Sequence, residues 1–232
     1  LQLDSTITAA LSLLDQPPFS LMQKAGRAVE IAQGRAQTRG VISFPLRKGV
    51  PQSEIAYDIS ATLRDVRSGV IIPKRALRAN RLRLSATPQR LLIAGLATVD
   101  GIAVDATWEQ KIGPEHAGKS ALSATVALSQ QALDAFNITL PPGTVTGAGQ
   151  GTLDVALQKG RAPAFTLTSD LRGIGVSIPV VGWRKGRDTR GELRVAGTLG
   201  PVAQITTLNI AGGGLTAWGD VALNADGTLD RA

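Results

Sequence analysis

The sequence contains no cysteine, which excludes disulfide frameworks and thiolate metal sites and leaves the redox compartment open. Its single histidine, His116, stands in a Gly/Pro/Lys loop. A catalytic triad, a histidine-rich metal site or a histidine general base would all rest on that one side chain. Aromatic residues make up only 3% of the chain, so any core must be built from Leu, Val, Ile and Ala. Such a core suits a thin layer of sheet better than a thick globular centre. No apolar run approaches the roughly 20 residues that cross a bilayer as a helix, and no stretch reads as a signal peptide. Beginning at Leu1, the chain reads as a segment of a longer protein. Carboxylates are scattered singly, Asp100 and Asp105 flanking a turn, and none pair at the spacing of a glycosidase or di-metal site. The expectation is a protein that is not an enzyme, with no catalytic residues, no metal and no cofactor.

What is present is length, charge and alternation. At 232 residues the chain can bury a sizeable core. A net charge of +7 attracts anionic partners, whether nucleic acid, phospholipid head groups or an acidic envelope surface. The stretch Asp170–Leu199 sets the pattern: Val176 and Ile178 precede a proline, and Val180–Trp183 is a brief apolar segment closed by a basic turn. Leu193, Val195, Gly197 and Leu199 then alternate with polar or small residues, the period of a strand with one buried face.

Ile7, Leu11 and Leu14 fall at helical spacing after Asp4 or Ser5 as cap, and Pro17–Pro18 restarts a short helix through Phe19, Leu21, Met22 and Lys24. This helical entrance (residues 1–28) is expected to close one end of a sheet as a lid; its basic face is thin for a membrane-facing helix. Strands are expected at Val29–Ile31, Val41–Leu46, Ile55–Leu63, Leu77–Leu84, Leu91–Val99 and Ile102–Trp108, bounded by Gly, Pro, Asn or Asp. Asp100–Gly101 reads as a two-residue hairpin turn. A strand over Leu122–Leu128 completes a first meander (29–128). Ser129 caps a short helix (129–140), and a second meander (141–232) follows through Leu153–Leu157, Ala164–Leu171, Gln204–Ile210, Leu215–Trp218 and Val221–Leu223, with Asn224–Gly227 opening a last turn. The fold class is therefore mainly β, a long, strongly twisted antiparallel meander with two or three short helices.

Gly147–Gly151 is rich enough in glycine to resemble a phosphate loop. Such loops open helices, whereas Thr152–Gln158 alternates as a strand, so the glycines read as a flexible turn. Lys74, Arg75, Arg78, Arg81, Arg83 and Arg90 form a basic strip. Since Arg81 and Arg83 alternate with Leu82 and Leu84, the strip reads as the wet face of a strand. No aromatics are interleaved for stacking single-stranded nucleic acid, and nucleic acid is not expected as a partner.

Several local features together resemble the AsmA-like superfamily of bacterial envelope proteins, in particular its YhdP- and TamB-type members. They are Leu14–Pro18 followed by a short helix and Gly34, Phe44–Pro45–Leu46, the short helix before Pro141, Asp170–Leu171, Ile178–Pro179 and Gly182–Lys185. The resemblance implies a repeating β-groove: a sheet curled into an open trough (a β-taco), apolar within and polar outside. It implies a periplasmic protein whose parent is anchored in the inner membrane and conducts phospholipid to the outer membrane. It brings no catalytic residues.

The residues themselves lead to a compatible place. One aliphatic sheet face must be buried against something, and the expected helices are too few to cover it, leaving a closed barrel, a second sheet or a ligand such as acyl chains. The expected lipid-binding face consists of Ile55, Tyr57, Ile59, Leu63, Leu82, Leu84, Leu92, Ile102, Val104, Trp108, Leu122, Val126, Leu153, Val155, Leu157, Phe165, Leu167, Leu193 and Val195. The alternative is a structural or adhesive β-repeat scaffold, a stalk or autotransporter-like passenger, whose apolar face is filled by its own side chains. A hydrolase acting on envelope polymers stands third, for want of paired carboxylates.

Overall fold

The computed structural model describes residues 2–16, 20, 22–23, 26–47, 51, 54–136, 138–179, 182–200, 204–223 and 229–231. Among them the chain is mainly antiparallel β, with fifteen strands and two short α-helices. It falls into two compact units, Leu1–Asp100 with Asp105–Ser120, and Gly101–Val104 with Ala121–Ala232.

In the first unit β1 (Gln2–Thr6), β2 (Gln33–Ser43), β3 (Ala56–Ser68), β4 (Leu77–Thr87) and β5 (Arg90–Val99) lie side by side in chain order, each antiparallel to the last. Register brings Ala36 opposite Leu63 and Leu63 opposite Leu82, with Ala61 between Thr38 and Leu84 in a neighbouring row. These residues form one face, because paired residues of an antiparallel ladder point the same way. Asp65, at φ 51, is the extra residue of a bulge that returns Val66 to that face opposite Ala79.

Helix α1 (Ile7–Leu14) follows β1 directly. Thr6 caps it, its Oγ1 accepting from the Ala9 amide at 3.1 Å, rather than the expected Asp4 or Ser5. Those two residues belong to β1, and Asp4 is held by Arg35 and Gln37. Gln2–Thr6 therefore pairs as a strand, and the helix begins at Ile7. The expected second helix falls largely outside the described residues, as do Val180, Val181 and the turn at Asn224–Gly227. Val29–Ile31 is turn and bend rather than strand: Ile31 packs against the cluster that contains Ile7, and pairing begins at Gln33.

Asp100 (φ 49) and Gly101 (φ 85) take left-handed conformations, as the expected two-residue turn requires. They join β5 to β6 (Ile102–Lys111). The Asp100 carboxylate is tied to Arg75 at 2.8 Å and to the Ala76 amide at 2.9 Å, which holds its pKa below the usual carboxylate range. The boundary between the units runs through β6 and β7 (Lys119–Ser129), which a helix follows. That helix, α2 (Gln130–Ala135), is capped by Ser129, whose Oγ accepts from the Ala132 amide.

In the second unit β8 (Val145–Gln158) pairs with β9 (Ala164–Ser169) through one half and with β10 (Ile174–Ile178) through the other. β10 pairs with β11 (Trp183–Lys185). Beyond β9 the ladder continues through β12 (Glu192–Thr198), β13 (Gln204–Gly212), β14 (Leu215–Leu223) and β15 (Leu229–Arg231). Leu215–Leu223 is thus one strand where two short ones are expected. The glycine run 147–151 lies inside β8 and is not a loop. A Cβ at Gly147 or Gly149 would collide with the carbonyl oxygen of Gly173 or Arg172, so these glycines permit close approach of the chain crossing from β9 to β10.

Ile7 is 6% exposed and anchors α1 to Ala36, Val66 and Ala79. Ile7→Ala is expected to cost about 2–4 kcal/mol, read as a lower urea midpoint of unfolding.

Candidate functional site: an apolar face covered at one end

Along β3 burial alternates: Tyr57, Ile59, Ala61 and Leu63 are half-buried or buried, while Ala56, Asp58 and Ser60 are exposed. The same period runs through β2, β6, β7 and β8. Each unit therefore has one aliphatic face and one wet face, and the aliphatic face is the candidate site.

In the first unit α1 covers one end of it. Ile7, Ala10 and Leu11 join Ala36, Leu63, Val66, Ala79, Leu82 and Ala97 in one cluster, all toward the same ends of their strands, so the first of the two expected helices covers this end of the face. Further along the strands Tyr57, Ile59, Leu84, Ala86, Leu91 and Ile93 remain half-buried, outside the cluster under the helix. Burial there pushes the Tyr57 phenol pKa up. Trp108 is half-buried too, and its indole N–H donates to Ser120 Oγ at 3.2 Å.

In the second unit the closing element is the hairpin β10–β11. Leu171, Ile174, Val176 and Trp183 form a buried cluster against Leu128, Val145, Leu193, Ile210 and Leu215. The Trp183 indole N–H is shared between the carbonyls of Gly212 (3.1 Å) and Gly213 (3.2 Å), fastening the hairpin to the β13–β14 turn. Lys185, 1% exposed, donates from Nζ to the carbonyls of Leu171 (2.7 Å), Ile174 (2.8 Å) and Gly186 (3.0 Å). All three of its N–H bonds are used. Burial lowers its pKa, and the charges of Asp170 and Asp188 oppose that shift. Beyond the hairpin, Leu122, Val126, Leu153, Leu157, Phe165, Leu167 and Val195 are half-buried.

The accessible surface is 14645 Å². Two compact units of roughly 12 kDa each would expose about 12,000 Å² together. The excess fits a thin layer of sheet rather than two rounded cores.

Alternation places the expected lipid-binding residues on these faces, from Ile55 to Val195, with Ile102 and Val155 the most buried at 5% and 7%. Leu92 is the exception in placement. It pairs with Ser85, on the wet side, while Leu91 pairs with Ala86 and Ile93 with Leu84. Leu91–Leu92–Ile93 is a continuous apolar run, from which alternation cannot choose the parity. Leu91 and Ile93 are therefore the residues that sequence reasoning missed. Lys185 was missed as well, although Trp183–Arg184–Lys185 carries the signal: if Trp183 points in, so does Lys185.

Fold and face together define a class, an antiparallel β-protein with an aliphatic face covered at one end by a local insertion and partly exposed beyond it. Compared with protein-family models, with curated proteins and with solved structures, the chain matches none.

Lys185→Met removes three donors from buried carbonyls and is expected to destabilise the fold by about 2–4 kcal/mol. Because the folded pKa lies below the unfolded one, the unfolded state binds more protons as the pH approaches the unfolded value. The wild-type advantage over Lys185→Met should therefore grow as the pH rises toward 10.5, measured by urea unfolding in alkaline buffers.

Proposed function

We propose that the chain is a lipid-binding segment of a periplasmic conduit, in which the uncovered aliphatic faces hold phospholipid acyl chains between inner and outer membranes. The observation that carries this reading is the partly exposed row of Tyr57, Ile59, Leu84, Leu91 and Ile93 lying outside the cluster under α1. An acyl chain laid on such a row gains about 0.8 kcal/mol per methylene buried. Neighbouring aliphatic positions are nearly equivalent, so sliding along the face costs little. No covalent chemistry is required of the protein. The membrane anchor and the outer-membrane contact would belong to other parts of the parent protein, as the resemblance to AsmA-like proteins implies.

The test is lipid extraction and mass spectrometry on protein purified without detergent from bacterial cells, with a similarly basic β-protein as control. Phospholipid specific to this chain is expected. Ile93→Glu, which places a charge on the aliphatic face, should lower that lipid at least roughly fivefold, since burying an unpaired carboxylate is costly. Ala56→Glu, beside Tyr57 but on the wet face, should leave it unchanged. A stable, lipid-free wild-type protein would assign the face to a structural scaffold instead.

A further inference from the structure

The wet face of the first unit carries a feature that the lipid groove does not use. Register places Arg35 directly opposite Arg64, and Arg64 directly opposite Arg81. The row beside it sets Arg67 opposite Arg78, and on the other side Arg83 stands opposite Thr62. All six side chains are exposed. Of these six, only Arg35 has an ion-pair partner among the described residues, Asp4 at 2.7 Å; the carboxylates nearest the array are Asp58, opposite Val41, and Asp65, while Asp105 and Glu109 lie on β6, Glu109 3.9 Å from Arg90.

Like charges directly opposite one another destabilise a sheet, and here the arrangement repeats across three strands. Every cation in the array is arginine, although the chain also has lysines. Guanidinium groups match phosphate oxygens in a two-pronged fork that ammonium groups lack. With strands about 4.8 Å apart and same-face residues about 6.8 Å apart along each strand, the groups form a two-dimensional array rather than a single-file track. Aliphatic side chains stand beside it on the same wet face: Leu96 is 69% exposed and Val41 66%, with Leu92 opposite Ser85. No aromatic residue lies on this side of β2–β5, so the stacking surface that single-stranded nucleic acid requires is missing.

We propose that the arginine ladder on the wet face of β2–β4 docks the chain on an anionic lipid bilayer, with arginine forks on head-group phosphates and Val41, Leu92 and Leu96 entering the interfacial layer. This assigns the outer face a partner of its own and does not rest on acyl chains filling the inner face. One face can bind lipid surfaces whether or not the other carries lipid.

The test is co-sedimentation of the full chain with vesicles of phosphatidylcholine alone and of phosphatidylcholine mixed with phosphatidylglycerol, alongside a short DNA duplex as competitor. Binding is expected to the anionic vesicles only, and to weaken as salt is raised. The triple variant Arg64→Gln, Arg81→Gln, Arg83→Gln should weaken it on the order of 100-fold. The control triple Arg161→Gln, Arg172→Gln, Arg194→Gln, which removes the same charge from exposed positions in the second unit, should change it only a few-fold. The ladder variant should keep its circular dichroism and a Tm no lower than wild type, because it removes a like-charge row. If it fails to fold, the single variant Arg81→Gln carries the same comparison. Equal loss in both triples, or no wild-type binding to anionic vesicles, overturns the proposal. Ladder-dependent binding to duplex DNA in preference to vesicles overturns it in favour of a nucleic-acid partner.

Discussion

A single antiparallel layer that stays open cannot bury its aliphatic face completely on itself. Everything else in this chain follows from how it meets that constraint. A chain of this length has ample aliphatic residues, yet it spends few of them on a second layer. Within each unit the covering element is a local insertion: eight residues of helix after β1, or one short hairpin after β9. Each covers the end of the face nearest to it and no more.

The two insertions reach burial by different chemistry. α1 is apolar and docks through Ile7 and Leu11 on small residues, Ala36 and Ala79, whose size lets the helix approach the sheet. The β10–β11 hairpin pairs along the first half of β8 and brings backbone with it. That backbone leaves carbonyls at Leu171 and Ile174 facing inward, where an unpaired oxygen would be costly. Lys185 satisfies them, and its own charge is tolerated because every donor it has is engaged. The glycines of β8 serve the same pairing, since side chains there would hold the two segments apart.

Much of this was legible in the sequence. Alternation from Ile55 to Leu63, from Leu122 to Leu128 and from Leu153 to Leu157 identified the aliphatic face, because a strand shows its burial with period two. Ser129 as a cap and Asp100–Gly101 as a turn were readable for the same local reason: each is specified by neighbours in sequence. Reading failed where a distant segment decided the outcome. Gly147–Gly151 looks like a loop until the crossing chain is placed beside it. Gln2–Thr6 is polar enough to pass for a helix approach until β2 pairs with it. Leu92 differs from Leu91 and Ile93 only by register against β4.

The sequence by itself determined the mainly β character, the aliphatic composition of the inner face and the absence of a histidine cluster, since composition and period are properties of the chain alone. Only the tertiary structure decided which residues the insertions cover, that Lys185 is buried, and that arginines far apart in sequence stand in one row across three strands. Those outcomes depend on strand register. A shift of one residue would send every side chain of a strand to the opposite face, and no local pattern encodes which partner residue stands across the ladder.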